Sequence, residues 1–156
     1  MKTRIHGDYH LGQVLFTGKD FIIIDFEGEP LRSLSARKLK YSPFRDIAGM
    51  LRSFHYAIYM GLLNQEDRYP GTTPLLEPWL EHWYKVVSSR YLKGYLETAK
   101  DAEFIPESEE QIMTLIRLFV IEKAVYELDY ELNNRPDWIR IPLNGLMKII
   151  EDLVKD

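Results

Sequence analysis

His6-Gly7-Asp8-Tyr9-His10-Leu11-Gly12-Gln13, followed after an apolar run by Asp25-Phe26-Glu27, is the stretch on which the reading of this chain turns. Asp8 is followed five positions on by an amide, Gln13, and twelve positions further by a second carboxylate, Asp25. Val14-Leu15-Phe16-Thr17 and Phe21-Ile22-Ile23-Ile24 are β-branched and aromatic runs on either side of the turn signal Gly18-Lys19-Asp20. That pattern predicts a β-hairpin with Gln13 at its entry and Asp25 at its exit. Glu27-Gly28-Glu29-Pro30 then breaks the second strand.

The order acid, amide, hairpin, acid matches a chemical need. Phosphoryl transfer requires one carboxylate to accept or orient the attacking hydroxyl. It also requires an amide and a second carboxylate to hold the Mg²⁺ that neutralises the phosphates of ATP. Protein kinases meet it with H-R-D-x-x-x-x-N and then D-F-G. Here the counterparts are Asp8 as catalytic base and Gln13 and Asp25 as metal ligands, with Glu27 and His6 as candidates for the metal's surroundings. Oxygen donors suit Mg²⁺, and a partial protein shell leaves room for phosphate and water. An aspartate in a turn can also serve turn chemistry alone; the ordered set of three outweighs that reading. His6 and His10 have the spacing of a helical zinc pair, but Gly7 and Gly12 oppose a helix and no third ligand is apparent. His6 is expected to hydrogen-bond the loop backbone and His10 to face the substrate.

Working outward, residues 31–41 hold Arg32, Arg37, Lys38 and Lys40 and no acid, and read as a basic linker. From Ser42-Pro43, a cap followed by a proline suited to a first helical turn, the period turns helical. Phe44, Ile47, Leu51, Phe54, Ile58 and Leu62 recur at three- and four-residue steps. Residues 70–78, with Pro70-Gly71, Thr73-Pro74 and Pro78, predict a loop. A second helix is expected from about Glu77 to Ala99, its apolar side formed by Trp79, Trp83, Val86, Val87, Tyr91 and Tyr95. Ser108-Glu109-Glu110-Gln111 is a capping box for a third helix to about Asn133, stopped by Asn134-Arg135-Pro136. Pro142 to Val154 predicts a last helix. Asp46, in the first turn of the first helix, reads as a structural carboxylate favoured by the helix dipole, with Arg52 as its polar companion.

Composition sets the outer bounds. The chain has 156 residues, 46% apolar and 13% aromatic, enough for one domain with its own core. It has no cysteine, which excludes a disulfide scaffold, a thiol nucleophile and thiolate metal sites, and fits a cytoplasmic protein. A net charge of −4 leaves no basic stripe for nucleic acid, and no apolar run is long enough for a membrane span. The polar cluster begins within six residues of Met1, although termini usually fray; the expectation is therefore the C-terminal piece of something longer.

Arg4-Ile5-His6-Gly7-Asp8-Tyr9-His10-Leu11-Gly12-Gln13-Val14-Leu15, Ile24-Asp25-Phe26-Glu27-Gly28-Glu29-Pro30 and Ser42-Pro43-Phe44-Arg45-Asp46-Ile47-Ala48-Gly49-Met50-Leu51-Arg52-Ser53-Phe54 resemble the maltokinase family, which often occurs fused behind a trehalose synthase domain. The resemblance implies a mainly α fold with a small β-hairpin region, the C-terminal lobe of a protein-kinase-like, aminoglycoside-phosphotransferase-like enzyme. It implies a single domain over 1–156, with catalytic and metal-binding loops in 1–41 and a helical subdomain in 42–156, and no N-terminal nucleotide-binding lobe. It implies ATP-dependent phosphorylation of maltose, or a related glucoside, to maltose 1-phosphate with Mg²⁺, and an isolated chain that is inactive. Gln13 in place of asparagine and the D-F-E-G-E-P string set maltokinases apart within that superfamily.

On the third long helix, Lys123 falls in angle between Ile116 and Phe119, and Tyr126 and Tyr130 flank the same stripe. From pattern alone this could be a snorkelling lysine and core tyrosines with wet tips. The resemblance makes Lys123, Tyr126 and Tyr130 sugar contacts. Arg135, Asp137, Trp138 and Arg140 lie just beyond and could shape the pocket wall. Two other functions stay open: a non-catalytic kinase-like module that binds sugar or a partner, and another small-molecule phosphotransferase of the aminoglycoside or choline type, against which Gln13 and Glu27 argue.

Overall fold

A computed structural model describes residues 1–155, with the backbone alone for 152–155. Two short strands, β1 (Val14–Phe16) and β2 (Phe21–Ile23), pair antiparallel with Val14 opposite Ile23 and Phe16 opposite Phe21. Thr17 and Asp20 close the turn: the Thr17 N–H donates to the Asp20 carbonyl at 2.9 Å. Gly18, at φ +90°, supplies the positive dihedral there. Helices follow: α1 (Leu34–Arg37), α2 (Phe44–Arg68), α3 (Thr73–Ala99), α4 (Glu109–Asn134) and α5 (Arg140–Lys155). The chain is thus mainly helical with one small hairpin, as the sequence pattern predicts.

α2 is the axis of the core. Phe44, Ile47, Leu51, Phe54, Ile58 and Leu62 are all buried, the stripe read from their spacing. Around its N-terminal half pack Tyr84, Val87, Tyr91 and Tyr95 of α3 and Ile112, Leu115, Phe119 and Val120 of α4. Around its C-terminal half pack Leu76 and Leu80 of α3, Ile141 of α5 and Trp138. Fully burying one such side chain stabilises by roughly 1.5–3 kcal/mol, so this axis holds the loops at its N-terminal end in place.

Three expectations need correction. Residues 70–78 are not a loop throughout, because α3 starts at Thr73 rather than Glu77. The Glu66 carboxylate, at the end of α2, accepts from Gly71 N at 2.6 Å, Thr73 N at 3.1 Å and Thr73 Oγ1 at 2.6 Å. Those bonds satisfy donors at the new helix's start, and Pro74 in the first turn costs nothing there; together they outweigh the backbone bond lost at Pro78. The expected face of α3 is buried in part: Val87, Tyr91 and Tyr95 pack on the core, whereas Trp79 is left 75%, Trp83 43% and Val86 45% exposed. Two apolar stripes share that helix, and the one carrying Tyr84, Val87 and Tyr91 meets α2. Finally, the basic linker holds α1, capped by Ser33, whose Oγ accepts from Ala36 N. The capping box before α4 forms as read, Ser108 Oγ accepting from Gln111 N at 3.4 Å.

Candidate active site

The loop carrying Asp8 is fixed from three sides. From α2, the Asp46 carboxylate accepts the backbone N–H of His6 at 2.7 Å and of Gly7 at 2.9 Å. Burial raises the Asp46 carboxyl, while those two N–H groups pull it down. From just past β2, the Ile24 carbonyl accepts from His6 Nε2 at 2.7 Å. That bond places the ring proton on Nε2, so Nδ1 is the acceptor for the Asp8 N–H at 3.3 Å. The third side is close packing. Tyr9 O lies 2.5 Å from where a Cβ of Gly49 would stand, so only glycine admits the loop against α2 there. Ser53 Oγ accepts from Leu11 N at 3.0 Å. His6 is buried and serves the loop backbone, and Phe26 packs on its ring with centroids 5.0 Å apart.

Gln13 sits in a 3₁₀ turn over Leu11–Gln13 that the sequence reading lacked; His10 Nδ1 caps it by accepting from Gly12 N at 3.0 Å. The hairpin brings Gln13 to Asp25, with Gln13 Nε2 donating to Asp25 Oδ2 at 2.9 Å. Asp25 holds φ 61°, the left-handed region that a non-glycine residue adopts at a cost. The amide carbonyl of Gln13 and the carboxylate of Asp25 are a pair of oxygen donors, which fits Mg²⁺ completed by phosphate and water. Among the described residues no three His, Asp or Glu side chains gather into a closed metal cage. Glu27 is exposed, and its backbone carbonyl accepts from Arg37 Nη1 at 3.5 Å.

Asp8 opens onto a cavity of about 430 Å³ between this loop, α2 and α4. Its walls include His10, Lys123, Tyr126 and Tyr130, so all four expected sugar contacts share one space with Asp8. Lys123 Nζ stands 3.9 Å from Asp8 Oδ1, and His10 Nε2 stands 3.8 Å from Asp8 Oδ2. Lys123 therefore does not merely snorkel, for its ammonium faces the loop. The Tyr126 hydroxyl is buried beside the Glu29 carboxylate, and burial together with that carboxylate pushes its phenol up to about 12.

Sequence reasoning missed the cavity's acids. Glu29, Glu127 and Glu131 line it, with Tyr56 of α2. Glu131 is 1% exposed and held in a fork by Arg135, Nε to Oε2 at 2.9 Å and Nη2 to Oε1 at 2.7 Å; Tyr56 Oη donates to Oε1 at 3.2 Å. Glu127 takes Arg52 Nε at 2.7 Å. Burial raises the Glu127 carboxyl, and Arg52 lowers it. The signal was available: Glu127, Glu131 and Arg135 recur at steps of four, an acid ridge on a half-buried helix face. Trp138 lies under the Arg135 guanidinium at 4.4 Å and packs with the core, which makes it a support for that fork.

No family model matches the chain. Two curated relatives are glucosamine kinases. The one from Streptacidiphilus jiangxiensis is 22% identical over 152 residues, covering 97% of this chain and 32% of the relative. The one from Mycolicibacterium smegmatis is 22% identical over 147 residues, covering 94% and 34%. A solved glucosamine kinase in complex with glucosamine, ADP and inorganic phosphate superposes with a TM-score of 0.81 at 21% identity, over 99% of this chain and 36% of that one. A glucosamine kinase in crystal form A gives 0.82 at 22%, over 99% of this chain and 36% of that one. These likenesses fix the fold, and the chain spans about a third of the length of the relatives it matches. They overturn the maltokinase resemblance, and with it the phosphorylation of maltose to maltose 1-phosphate. The reason is physical. Gln13 and Asp25, the core of that distinction, pair at the hairpin and do not line the cavity beside Asp8, where Lys123, Tyr126, Glu127, Tyr130 and Glu131 of α4 stand. No described helix is long and apolar enough to cross a membrane.

Proposed function

We propose that this chain is the acceptor-binding lobe of an ATP-dependent sugar kinase of the aminoglycoside-phosphotransferase-like class, cytoplasmic, and that it takes a hexose or amino-hexose. The observation that carries this is the meeting of the Asp8 carboxylate with the Lys123 ammonium, 3.9 Å apart, at one wall of a cavity of about 430 Å³. That volume suits a monosaccharide, and the walls offer carboxylates, phenols and cations for its polar groups.

In this reading Asp8 orients the reacting sugar hydroxyl and takes its proton. Lys123, with its ammonium 3.9 Å from Asp8 Oδ1, donates to a neighbouring sugar oxygen. Tyr126 and Tyr130 offer ring faces to the pyranose, and Glu127 and Glu131 accept from its hydroxyl or ammonium groups. Gln13 and Asp25 would hold Mg²⁺, which supplies charge neutralisation for the phosphates when bound. The nucleotide would be presented by a separate lobe, of the kind the much longer relatives have room for. A purely sugar-binding role for the same lobe differs only in lacking transfer, and the pairing of Gln13 with Asp25 at 2.9 Å favours transfer.

The test is calorimetric titration of this chain with glucosamine and, separately, glucose. Saturable binding is expected, weakened about tenfold or more in Lys123→Met, since a charge-assisted hydrogen bond contributes roughly 1.5–3 kcal/mol. The melting temperature should hardly move, because the methionine keeps the aliphatic stem. No saturable binding of either sugar, or binding indifferent to Lys123→Met, would remove the reading.

A further inference from the structure

A second cavity, of about 280 Å³, lies behind the acceptor site. It is lined by Arg52, His55, Tyr84 and Gly145, among others. The Arg52–Glu127 ion pair is the partition between the two spaces, Glu127 lining one and Arg52 the other. Arg52 is only 2% exposed and Glu127 9%. A buried pair of this kind stabilises little compared with apolar side chains of similar volume, so its place in the wall calls for another account.

The geometry supplies one. Arg52 Nε and Nη2 both stand 2.7 Å from the same oxygen, Glu127 Oε2. Oε1 keeps no protein donor among the described residues, in a side chain that lines the acceptor cavity. The guanidinium is itself set from behind. Its Nη1 donates to His55 Nδ1 at 3.3 Å. Burial, with the nearby Arg52 and Lys148 cations, pushes the imidazole down to about 3, so Nδ1 stays an acceptor at ordinary pH. α5 closes over this arrangement at Gly145. A Cβ there would collide with Arg52 Nη1 and come within 3.0 Å of Arg52 Cζ and His55 Cε1.

We infer that Arg52 is a positioning residue of the acceptor site, holding the Glu127 carboxylate by one oxygen so that the other meets the sugar, and that Gly145 is glycine to admit its guanidinium. The inference rests on the acceptor reading above. It extends the site to two residues that do not line the acceptor cavity: Gly145 acts on Arg52, Arg52 on Glu127, and Glu127 on the ligand.

The test uses this chain, with glucosamine as the probe and melting temperature recorded beside affinity. Gly145→Ala should weaken glucosamine binding about tenfold, the effect of misplacing one charge-assisted hydrogen bond. Arg52→Lys keeps the charge but loses the Nε–H bond to Oε2 and the planar guanidinium, and should weaken binding similarly. In the double variant the added methyl group meets no Nη1, so the two losses should not add. Should Gly145→Ala fail to fold, Arg52→Lys alone and Arg52→Lys with Gly145→Ala still carry the comparison. A role in stability alone predicts a lowered melting temperature with unchanged affinity in the folded protein, and that result overturns the inference. If the parent binds glucosamine and both single variants bind it as well, the inference falls while the acceptor reading stands. If the parent binds no sugar, both fall.

Discussion

Replacing Asp46 by alanine tests whether α2 holds the Asp8 loop. The carboxylate accepts two backbone N–H groups, at 2.7 Å from His6 and 2.9 Å from Gly7, from a position deep at the helix start. His6 is 8% exposed, so its N–H finds no water when the acceptor is removed and the loss is near the full cost of an unsatisfied buried donor, about 1–3 kcal/mol. Gly7 is exposed, so water replaces much of its bond and the further loss is about 0.5–1 kcal/mol. The sum, about 1.5–4 kcal/mol, corresponds to a fall of roughly 3–16 °C in melting temperature for a domain of this size. Asp46→Asn keeps one acceptor oxygen and turns an amine toward the other N–H, so it should lose at least half as much. Thermal unfolding measures the total, and amide hydrogen exchange assigns it: protection at His6 and Gly7 should fall before that of α2 itself. A loss below about 0.5 kcal/mol in Asp46→Ala, with exchange at His6 and Gly7 unchanged, would refute the idea that this carboxylate anchors the loop.

Gly49→Ala should destabilise although alanine is the better helix former by roughly 0.5–1 kcal/mol. The new Cβ would meet the Tyr9 carbonyl oxygen at 2.5 Å, a backbone atom that cannot swing away, so a net loss of about 1–2 kcal/mol in urea unfolding is expected and a gain would contradict it. His55 predicts a pH dependence. Its folded pKa is pushed down to about 3 from 6.5, so below pH 6.5 the unfolded chain takes up a proton that the folded one refuses. Stability from this group is full above pH 6.5 and is lost as pH falls toward 3, at up to about 1.4 kcal/mol per pH unit. Asp46 and Glu127, raised by burial, act with the opposite sign but are common to parent and variant. His55→Gln should therefore show a shallower acid loss than the parent, and an identical slope between pH 6.5 and 4 would remove His55 as its source.

The parts of the molecule legible in the sequence are those with a local cause. The α2 stripe, the hairpin around Gly18 and the cap at Ser108 each follow from spacing or from one turn's chemistry. The meeting of Gln13 with Asp25 was legible because a hairpin, a local structure, brings the two together. What failed was settled between distant segments. The nearest case is Glu66, whose side chain caps the start of α3 at Thr73 across a turn, a contact that periodicity does not show, where Pro70, Pro74 and Pro78 argued for a loop. Trp79 looked like core by pattern, but a competing stripe on the same helix won the contact with α2. Asp46 was read as a helix-dipole carboxylate, and its partners lie about forty residues back, beyond any window of periodicity. The acids Glu127 and Glu131 were passed over because their partners, Arg52 and Tyr56, stand 75 residues away.

One helix joins these distant decisions. Asp46, Gly49 and Ser53 follow at steps of three and four, and so share a face of α2; each touches the Asp8 loop, by two N–H bonds, a bare Cα and a hydroxyl. Arg52 and Tyr56, a turn apart, lie on the neighbouring face and hold Glu127 and Glu131 of α4. At 100° per residue the two faces diverge by about 70°, so the loop and α4 meet α2 on neighbouring sides of the helix. The distance between the carboxylate that would take a proton and the carboxylates that would seat an acceptor is thus fixed by a single rigid element whose apolar side is the core. A mutation that tilts α2 should move both walls together, whereas changes at Asp46 or Arg52 should move one wall and leave the other.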